Sequence, residues 1–172
     1  MKRTKYFLTL TFFLLSFSSF AKQMEVTYTL HPFSTDGCSS SPDGTIPLAG
    51  EQFLPCCKAH DVAYWKGGTA KERLKADQAL RSCMEGMGHK NFAAIYYWTV
   101  RVFGVPMAPT TYRWGYGWEP KRGYGELRPE EKELADKMAP QNLEEVEITS
   151  PTREEYLRAL GADADESDLL LY

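Results

Sequence analysis

The spacing of apolar residues predicts two long helices in the middle of the chain. The first begins within residues 51–55, because a proline such as Pro55 is tolerated in the first turn of a helix and not beyond it. It ends at Gly67 and Gly68, which suit a left-handed helix cap. The second covers residues 69–85, where a threonine followed three residues later by a glutamate can form a capping box. Two helices joined by so short a turn are expected to pack antiparallel.

A third predicted helix, residues 92–103, is apolar on nearly every side, with Asn91 as its predicted N-cap and Gly104 and Pro106 after its end. At about 12 residues it is too short to span a bilayer, which needs about 20. A helix buried in the core is the simpler interpretation. The functional alternative is a helix that lines an apolar cleft or contacts lipid.

The segment 107–125 is rich in glycine and aromatic residues and predicts irregular structure. Its aromatic side chains, together with Arg113, Lys121 and Arg122, would suit the headgroup zone of a lipid surface. They would equally suit packing within a small domain. Nearer the N-terminus, residues 24–30 predict at most a short strand or extended segment.

The balance of charge changes near residue 125. Residues 22–125 carry 12 basic and 9 acidic side chains, whereas residues 126–172 carry 5 basic and 14 acidic ones. The acidic part also predicts two short amphipathic helices, 129–139 and 150–161, the second capped by Ser150. We therefore predict one folded domain at residues 22–125 and an acidic, partly helical tail at residues 126–172.

Residues 1–21 have the pattern of a cleaved export signal. Lys2, Arg3 and Lys5 form a basic start, an apolar run follows, and small residues around Ala21 suit cleavage. A retained N-terminal anchor is the alternative, although the apolar run is short for one. We therefore expect an exported protein, either secreted or periplasmic.

All four cysteines lie between positions 38 and 83, and an even number in an exported protein favours disulfides. A bond between the adjacent Cys56 and Cys57 would be strained. Each of the two is therefore expected to pair with Cys38 or Cys83, which leaves two pairings open. The competing interpretation is a zinc site formed by Cys56, Cys57, His60 and a fourth ligand, but an oxidising compartment weighs against it.

The first predicted helix carries several reactive side chains on one face. Residues three or four positions apart share a helix face, so this face holds Cys56, Cys57, His60 and Tyr64, with Asp61 beside it. The second helix carries one acid, Asp77, within an otherwise apolar face formed by Leu74, Leu80 and Met84.

A Cys56–Cys83 disulfide between antiparallel helices would bring His60 close to Asp77. A buried carboxylate needs a partner, and His60 is within reach. His31 and His89 lack such partners, and we interpret them as surface or loop histidines.

Residues 32–50 are rich in turn-forming residues, among them Asp36, Gly37 and the sequence Pro42-Asp43-Gly44. Such a run is either a plain surface loop or an oxygen-rich site for a hard cation. Taken alone, the plain loop is the simpler interpretation.

Together these residues resemble the secreted, calcium-dependent phospholipase A2 superfamily. The resemblance covers residues 36–84, and the loop looks most like that of small bacterial and fungal members. The N-terminal helix of the animal enzymes is absent, and the chain after Gly88 matches nothing in the family. The resemblance is carried by the run from Cys56 to Tyr64, by Asp77 with Cys83, and by Asp36-Gly37-Cys38 with Pro42-Asp43.

The resemblance implies a mainly α fold, in which two long antiparallel, disulfide-linked helices stand beside a calcium-binding loop. It also implies one of the two open pairings, Cys38 with Cys57 and Cys56 with Cys83. In this interpretation the catalytic residues are His60, which activates a water molecule, Asp77, which orients the imidazole, and Tyr64, which bonds Asp77.

The same resemblance implies Ca²⁺ as the cofactor. Asp61 and Asp36 would supply carboxylate oxygens, and Gly37 a backbone carbonyl. The implied function is an exported phospholipase A2 that hydrolyses the sn-2 ester of glycerophospholipids, a monomer whose partner is a phospholipid membrane surface and not a nucleic acid. The alternatives are a catalytically inert calcium- and lipid-binding relative of the same fold, or a periplasmic interaction protein.

Overall fold

A computed structural model describes residues 26–38 and 50–161, so the predicted export signal and residues 39–49 of the predicted loop lie outside the described residues. Within these ranges the protein is mainly helical, as predicted. Its elements in chain order are β1 (Thr29–Leu30), α1 (Gly50–Lys66), α2 (Ala70–Gly86), α3 (Lys90–Phe103), β2 (Trp118–Glu119), α4 (Pro129–Met138) and α5 (Arg153–Leu160).

Helices α1 and α2 form the antiparallel pair that the short glycine turn predicts. Gly67 and Gly68 both have positive φ angles, of +69° and +127°, which residues with a side chain rarely adopt. A Cβ at Gly67 would also lie 2.9 Å from the Cα of Gly115, so the turn has no room for one. The prediction was wrong for Pro55, which lies in the second turn because α1 begins at Gly50. There it removes only the backbone bond to residue 51, close to the helix start.

The core lies between α1, α2 and α3. Its centre is formed by Phe53, Cys56, Cys57, Leu80, Met84, Ala93 and Tyr96. Asp77 is fully buried beside this core, as expected for an acid on the inner face of α2. Leu74, expected on that face, is exposed, and Arg73 is buried instead because polar groups are available there to receive its guanidinium.

The interpretation of the third helix as a buried helix is wrong. One face of α3 packs on α2 through Ala93 and Tyr96, but the opposite face meets solvent, with the Trp98 side chain 64% exposed. The helix lies at the edge of the described fold, and no element covers its outer face. We refer to the exposed residues of this face and the turn that follows as the α3 patch, which consists of Ile95, Trp98, Val102, Phe103 and Met107.

Most of the aromatic segment after α3 packs into the protein and not outward as a rim. Trp114 and Trp118 are buried, and their indole N–H groups donate to backbone carbonyls at the end of α1 and in the turn after it. Arg113 and Arg122, predicted for a headgroup zone, are also buried. Arg113 donates to backbone carbonyls of this segment, and burial lowers its pKa to about 10. Of the two interpretations of this segment, domain packing is therefore the correct one.

A second apolar cluster joins the aromatic segment to β1, α1 and α4. Strand β1 pairs antiparallel with β2, with Leu30 opposite Trp118. Trp65 of α1 and Ala135 of α4 complete this cluster. Helix α4 is also held by Glu131, whose carboxylate accepts a hydrogen bond of 2.7 Å from Arg122.

Two predicted helix caps were wrong. Helix α5 is capped by Thr152, which forms a capping box with Glu155, and not by Ser150. Helix α3 begins at Lys90 with His89 in the N-cap position, so Asn91 lies inside its first turn. In both cases the observed N-cap lies two residues from the predicted one. No helix within residues 26–38 and 50–161 combines the length and the apolar character needed to cross a membrane.

Candidate active site

Two disulfides hold the elements that form the site. Cys56 of α1 is bonded to Cys83 of α2, and Cys57 is bonded to Cys38 in the segment that precedes α1. This is the pairing that the resemblance implied. Since every cysteine is in a disulfide, none is left to form the alternative zinc site. Disulfides of this kind are typical of proteins that fold in an oxidising compartment.

His60 and Asp77 are in direct contact between α1 and α2. The Nε2 atom of His60 lies 2.9 Å from Oδ1 of Asp77, and the two side chains are buried. Tyr64 donates its hydroxyl proton to the same oxygen at 2.7 Å. One helical turn separates His60 from Tyr64, so both side chains approach Asp77 from the same face of α1. The three predicted catalytic residues are thus brought together.

Two arginines that the sequence interpretation missed complete this network. Arg101 of α3 donates to Oδ2 of Asp77 at 2.7 Å, so the carboxylate is bonded through both oxygens. Arg73, one turn before Asp77, donates to the hydroxyl of Tyr64 at 3.0 Å and to the last carbonyls of α3. Arg73 and Asp77 are four residues apart on α2 and so share a helix face, and this spacing was a local signal for Arg73. No local signal indicated Arg101.

These contacts decide the charge state of Asp77. Burial opposes ionisation, but hydrogen bonds from His60, Arg101 and Tyr64 outweigh it and hold the pKa of Asp77 below its ordinary value. For His60, burial lowers the pKa, while the carboxylates of Asp61 and Asp77 raise it by more, so the net pKa is raised. An ionised carboxylate therefore faces an imidazole that can accept a proton.

The other side of the imidazole faces Asp61, which is also on α1. Its Nδ1 atom lies 3.9 Å from Oδ1 of Asp61, too far for a direct hydrogen bond. Because Nε2 is engaged by Asp77, Nδ1 is the ring nitrogen that can take a proton from another molecule. His31 bonds Glu119, and His89 packs on Phe53, so neither joins this group.

Asp61 is buried next to the segment that contains Asp36. Its Oδ2 atom accepts a hydrogen bond of 2.5 Å from the hydroxyl of Thr35, and that hydroxyl accepts one of 3.0 Å from the Gly37 N–H. Burial raises the pKa of Asp61 even though Thr35 and His60 act in the opposite direction. Thr35 was missed from the sequence, because nothing local distinguishes it from other loop threonines.

The oxygen atoms at this point suit a hard divalent cation. Asp36, Gly37 and Asp61 all line the same cavity, and a buried carboxylate that is costly to ionise is stabilised by a bound cation. The residues present therefore fit Ca²⁺. Among the described residues no group of three or more acidic, histidine or cysteine side chains forms a metal site.

A cavity of about 310 Å³ connects these groups to solvent. His60, Asp61 and Tyr64 lie on one side of it. Apolar side chains of α2 and α3 form another side, including Leu80, Val100 and Phe103. Phe103 also belongs to the α3 patch, so the apolar wall of the cavity continues directly onto the exposed apolar surface.

Comparisons with protein-family models, with curated proteins and with solved structures give no match.

Proposed function

We propose that this protein is an exported, calcium-dependent phospholipase A2 with a phospholipase A2-like fold, which hydrolyses the sn-2 ester of glycerophospholipids. The observation that carries the proposal is the 2.9 Å contact between His60 and Asp77, with the free Nδ1 of the imidazole next to a carboxylate-lined cavity. A histidine oriented by a buried carboxylate is the arrangement that general-base catalysis requires.

The proton transfers follow from the bonding of the imidazole. Asp77 accepts the Nε2 proton of His60, which fixes the neutral tautomer with its lone pair on Nδ1. A water molecule near Nδ1 can then lose its proton to His60 as its oxygen attacks an ester carbonyl. The negative charge of Asp77 stabilises the imidazolium that forms, and Tyr64 keeps the carboxylate in place.

The cation site lies beside the position where the ester would react. Asp61 and Asp36 would hold Ca²⁺ through their carboxylates, and Gly37 through its backbone carbonyl. When bound, the ion would polarise the ester carbonyl and stabilise the oxyanion.

The surface around the cavity suits a substrate in a lipid aggregate. The α3 patch exposes large apolar side chains, and Phe103 joins it to the cavity wall. Exposed apolar groups of this size favour contact with an apolar phase. A lipid molecule could therefore pass from a membrane surface into the cavity along continuous apolar contacts.

Vesicle hydrolysis tests the proposal. The mature protein is incubated with phospholipid vesicles whose sn-1 and sn-2 acyl chains differ in mass, with calcium or with a chelator, and the released fatty acid is identified by mass spectrometry. We expect release of the sn-2 chain in calcium only, and at least a hundredfold loss in His60→Gln. The matched control is His31→Gln, which alters a histidine outside the cavity. Equal release by wild type and His60→Gln would refute the role of His60.

One observation favours a second candidate, a catalytically inert calcium- and lipid-binding relative. Arg101 forms an ion pair with Asp77, and this pair reduces the charge available to stabilise an imidazolium on His60. Calcium binding by the wild-type protein, measured by calorimetry, without fatty acid release from any vesicle would favour this candidate over the enzyme. The third alternative, a periplasmic interaction protein, predicts neither calcium binding nor hydrolysis.

A further inference from the structure

Residues 143–156, which we call the C-terminal strap, cross the protein next to the proposed cation site. The strap is attached to α1 by Lys58, a buried residue whose ammonium group donates to the carbonyls of Leu143 at 3.1 Å and Val146 at 2.5 Å. A buried polar group needs hydrogen-bond partners in place of water, and here two strap carbonyls provide them. The contact is therefore an anchor within the folded protein.

Three further contacts connect the strap to residues 33–38. The Thr149 N–H donates to the carbonyl of Thr35 at 2.9 Å. The hydroxyl of Ser34 donates to the carboxylate of Glu155 at 2.5 Å. Ile148 covers Gly37 closely, so that a Cβ at Gly37 would lie 3.4 Å from Ile148 Cδ1. The segment that contains Asp36 and Gly37 thus lies between α1 and the strap.

Thr35 connects the strap to the proposed cation site. Its carbonyl is held by the strap, and its hydroxyl bonds both the Asp61 carboxylate and the Gly37 N–H. Thr35 is fully buried, so its side chain has no alternative partner in water. A displacement of the Thr35 backbone would therefore move the hydroxyl that orients Asp61.

The strap also forms part of the cavity itself. Pro151 and Tyr156 line it together with His60 and Asp61. The acidic C-terminal region therefore contributes directly to the site, although its composition suggested a separate tail.

We propose that the C-terminal strap is a positioning element, which clamps residues 33–38 against α1 and so holds Asp61 and the Asp36–Gly37 backbone in the geometry that binds Ca²⁺. This inference rests on the calcium site of the proposed function. Cation sites of high affinity require ligands that are ordered before the ion binds, because ordering a loose loop reduces the binding free energy. The strap supplies this order from outside the loop.

The sharpest test removes one backbone donor. Thr149→Pro eliminates the N–H that bonds Thr35, whereas the matched control Thr149→Ala keeps this N–H and removes only an exposed side chain. Two quantities are measured in each variant, the amide hydrogen exchange of residues 33–38 and the calcium dissociation constant by calorimetry. We expect faster exchange and about 5- to 10-fold weaker calcium binding in Thr149→Pro, and neither change in Thr149→Ala.

A second pair of variants tests the same clamp if the proline variant does not fold. Lys58→Met removes the anchor on α1, and Lys75→Met, on the exposed side of α2, is its control. Faster exchange of residues 33–38 in Lys58→Met alone supports the clamp. Identical exchange in Thr149→Pro and Thr149→Ala, or in the two lysine variants, would overturn it. If the wild-type protein binds no calcium, the proposed function fails, and the exchange comparison still decides whether the strap clamps residues 33–38.

Discussion

Gly104, the residue that ends α3, is the position at which one added methyl group should damage the site most. Its φ angle is −86°, which alanine adopts freely, so Gly104→Ala introduces no backbone strain. The new Cβ would lie 2.5 Å from Cε1 and 2.6 Å from the hydroxyl oxygen of Tyr64, and 2.7 Å from the carbonyl oxygen of Val100. All three distances are far below van der Waals contact, so Tyr64 or the end of α3 must move.

Tyr64 borders the cavity on one side, but its ring contacts and hydrogen bonds confine it elsewhere. Its side chain is buried between the ring of His60, with centroids 4.1 Å apart, and that of Trp114, at 5.1 Å. Its hydroxyl is bonded to Asp77 at 2.7 Å and to Arg73 at 3.0 Å. Any shift that relieves the clash therefore breaks a hydrogen bond to a buried charged group.

The expected loss of stability comes from these two effects, which partly overlap. Overpacking of a filled core costs about 1–3 kcal/mol. A lost hydrogen bond to a charged group costs about 1.5–3 kcal/mol. Because part of the clash can be relieved by the same movement that breaks the bond, we expect about 3 kcal/mol in total. In a chain of this length that corresponds to a fall in Tm of about 10 °C.

Urea unfolding of the protein with its disulfides intact measures this loss. The matched control is Gly86→Ala, at the end of α2, where an added Cβ meets no atom within 4 Å. The control should not lower the free energy of unfolding, and it should raise it by at most about 1 kcal/mol. A Gly104→Ala variant as stable as the control would show that Tyr64 is not confined as described.

Two other predictions concern acid stability and lipid contact. Burial opposes the ionisation of Asp77, but hydrogen bonds from His60, Arg101 and Tyr64 outweigh it and lower its pKa, so the carboxylate contributes stability above about pH 4 that is lost as the pH falls through the lowered value. The urea midpoint should therefore depend less on pH below 4 in Asp77→Asn, and an unchanged pH dependence would contradict the assigned contacts. Trp98→Glu should weaken vesicle binding at least tenfold in a sedimentation assay, because it places a charge in the α3 patch. Leu134→Glu, an exposed leucine of α4, is its control, and equal binding by both variants would exclude the patch as the lipid contact.

The elements predicted correctly are those specified by short-range interactions. The turn at Gly67 and Gly68, the capping box of α2 and the approximate limits of the first three helices all depend on residues a few positions apart. The contact between His60 and Asp77 was also within reach of the sequence, because two antiparallel helices that share a disulfide have a nearly fixed register. Once the resemblance selects the Cys56–Cys83 pairing, helix geometry and the order of residues along the chain place His60 near Asp77.

The exposure of α3 was beyond the reach of its sequence. A helix that is apolar on nearly every side gives little information about which side will be covered, because that depends on elements elsewhere in the chain. The buried arginines of the aromatic segment show the same limit. Arginine is usually found at the surface. The burial of Arg113 and Arg122 is favourable only because nearby backbone carbonyls and the carboxylate of Glu131 accept their hydrogen bonds.

The C-terminal strap is the clearest example of a structure that local sequence features did not predict. Composition marked residues 126–172 as acidic and separate, yet Lys58 reaches across 88 positions of sequence to bond Val146. Hydrophobic periodicity, helix caps and glycine turns depend on residues close together in sequence. These local features were therefore enough to predict the helices and the pairing of the first two. Burial, and the pairing of polar groups that burial demands, depend on what the rest of the chain places alongside. The contacts of Thr35, Arg101 and the strap with the site were therefore visible only in the tertiary structure.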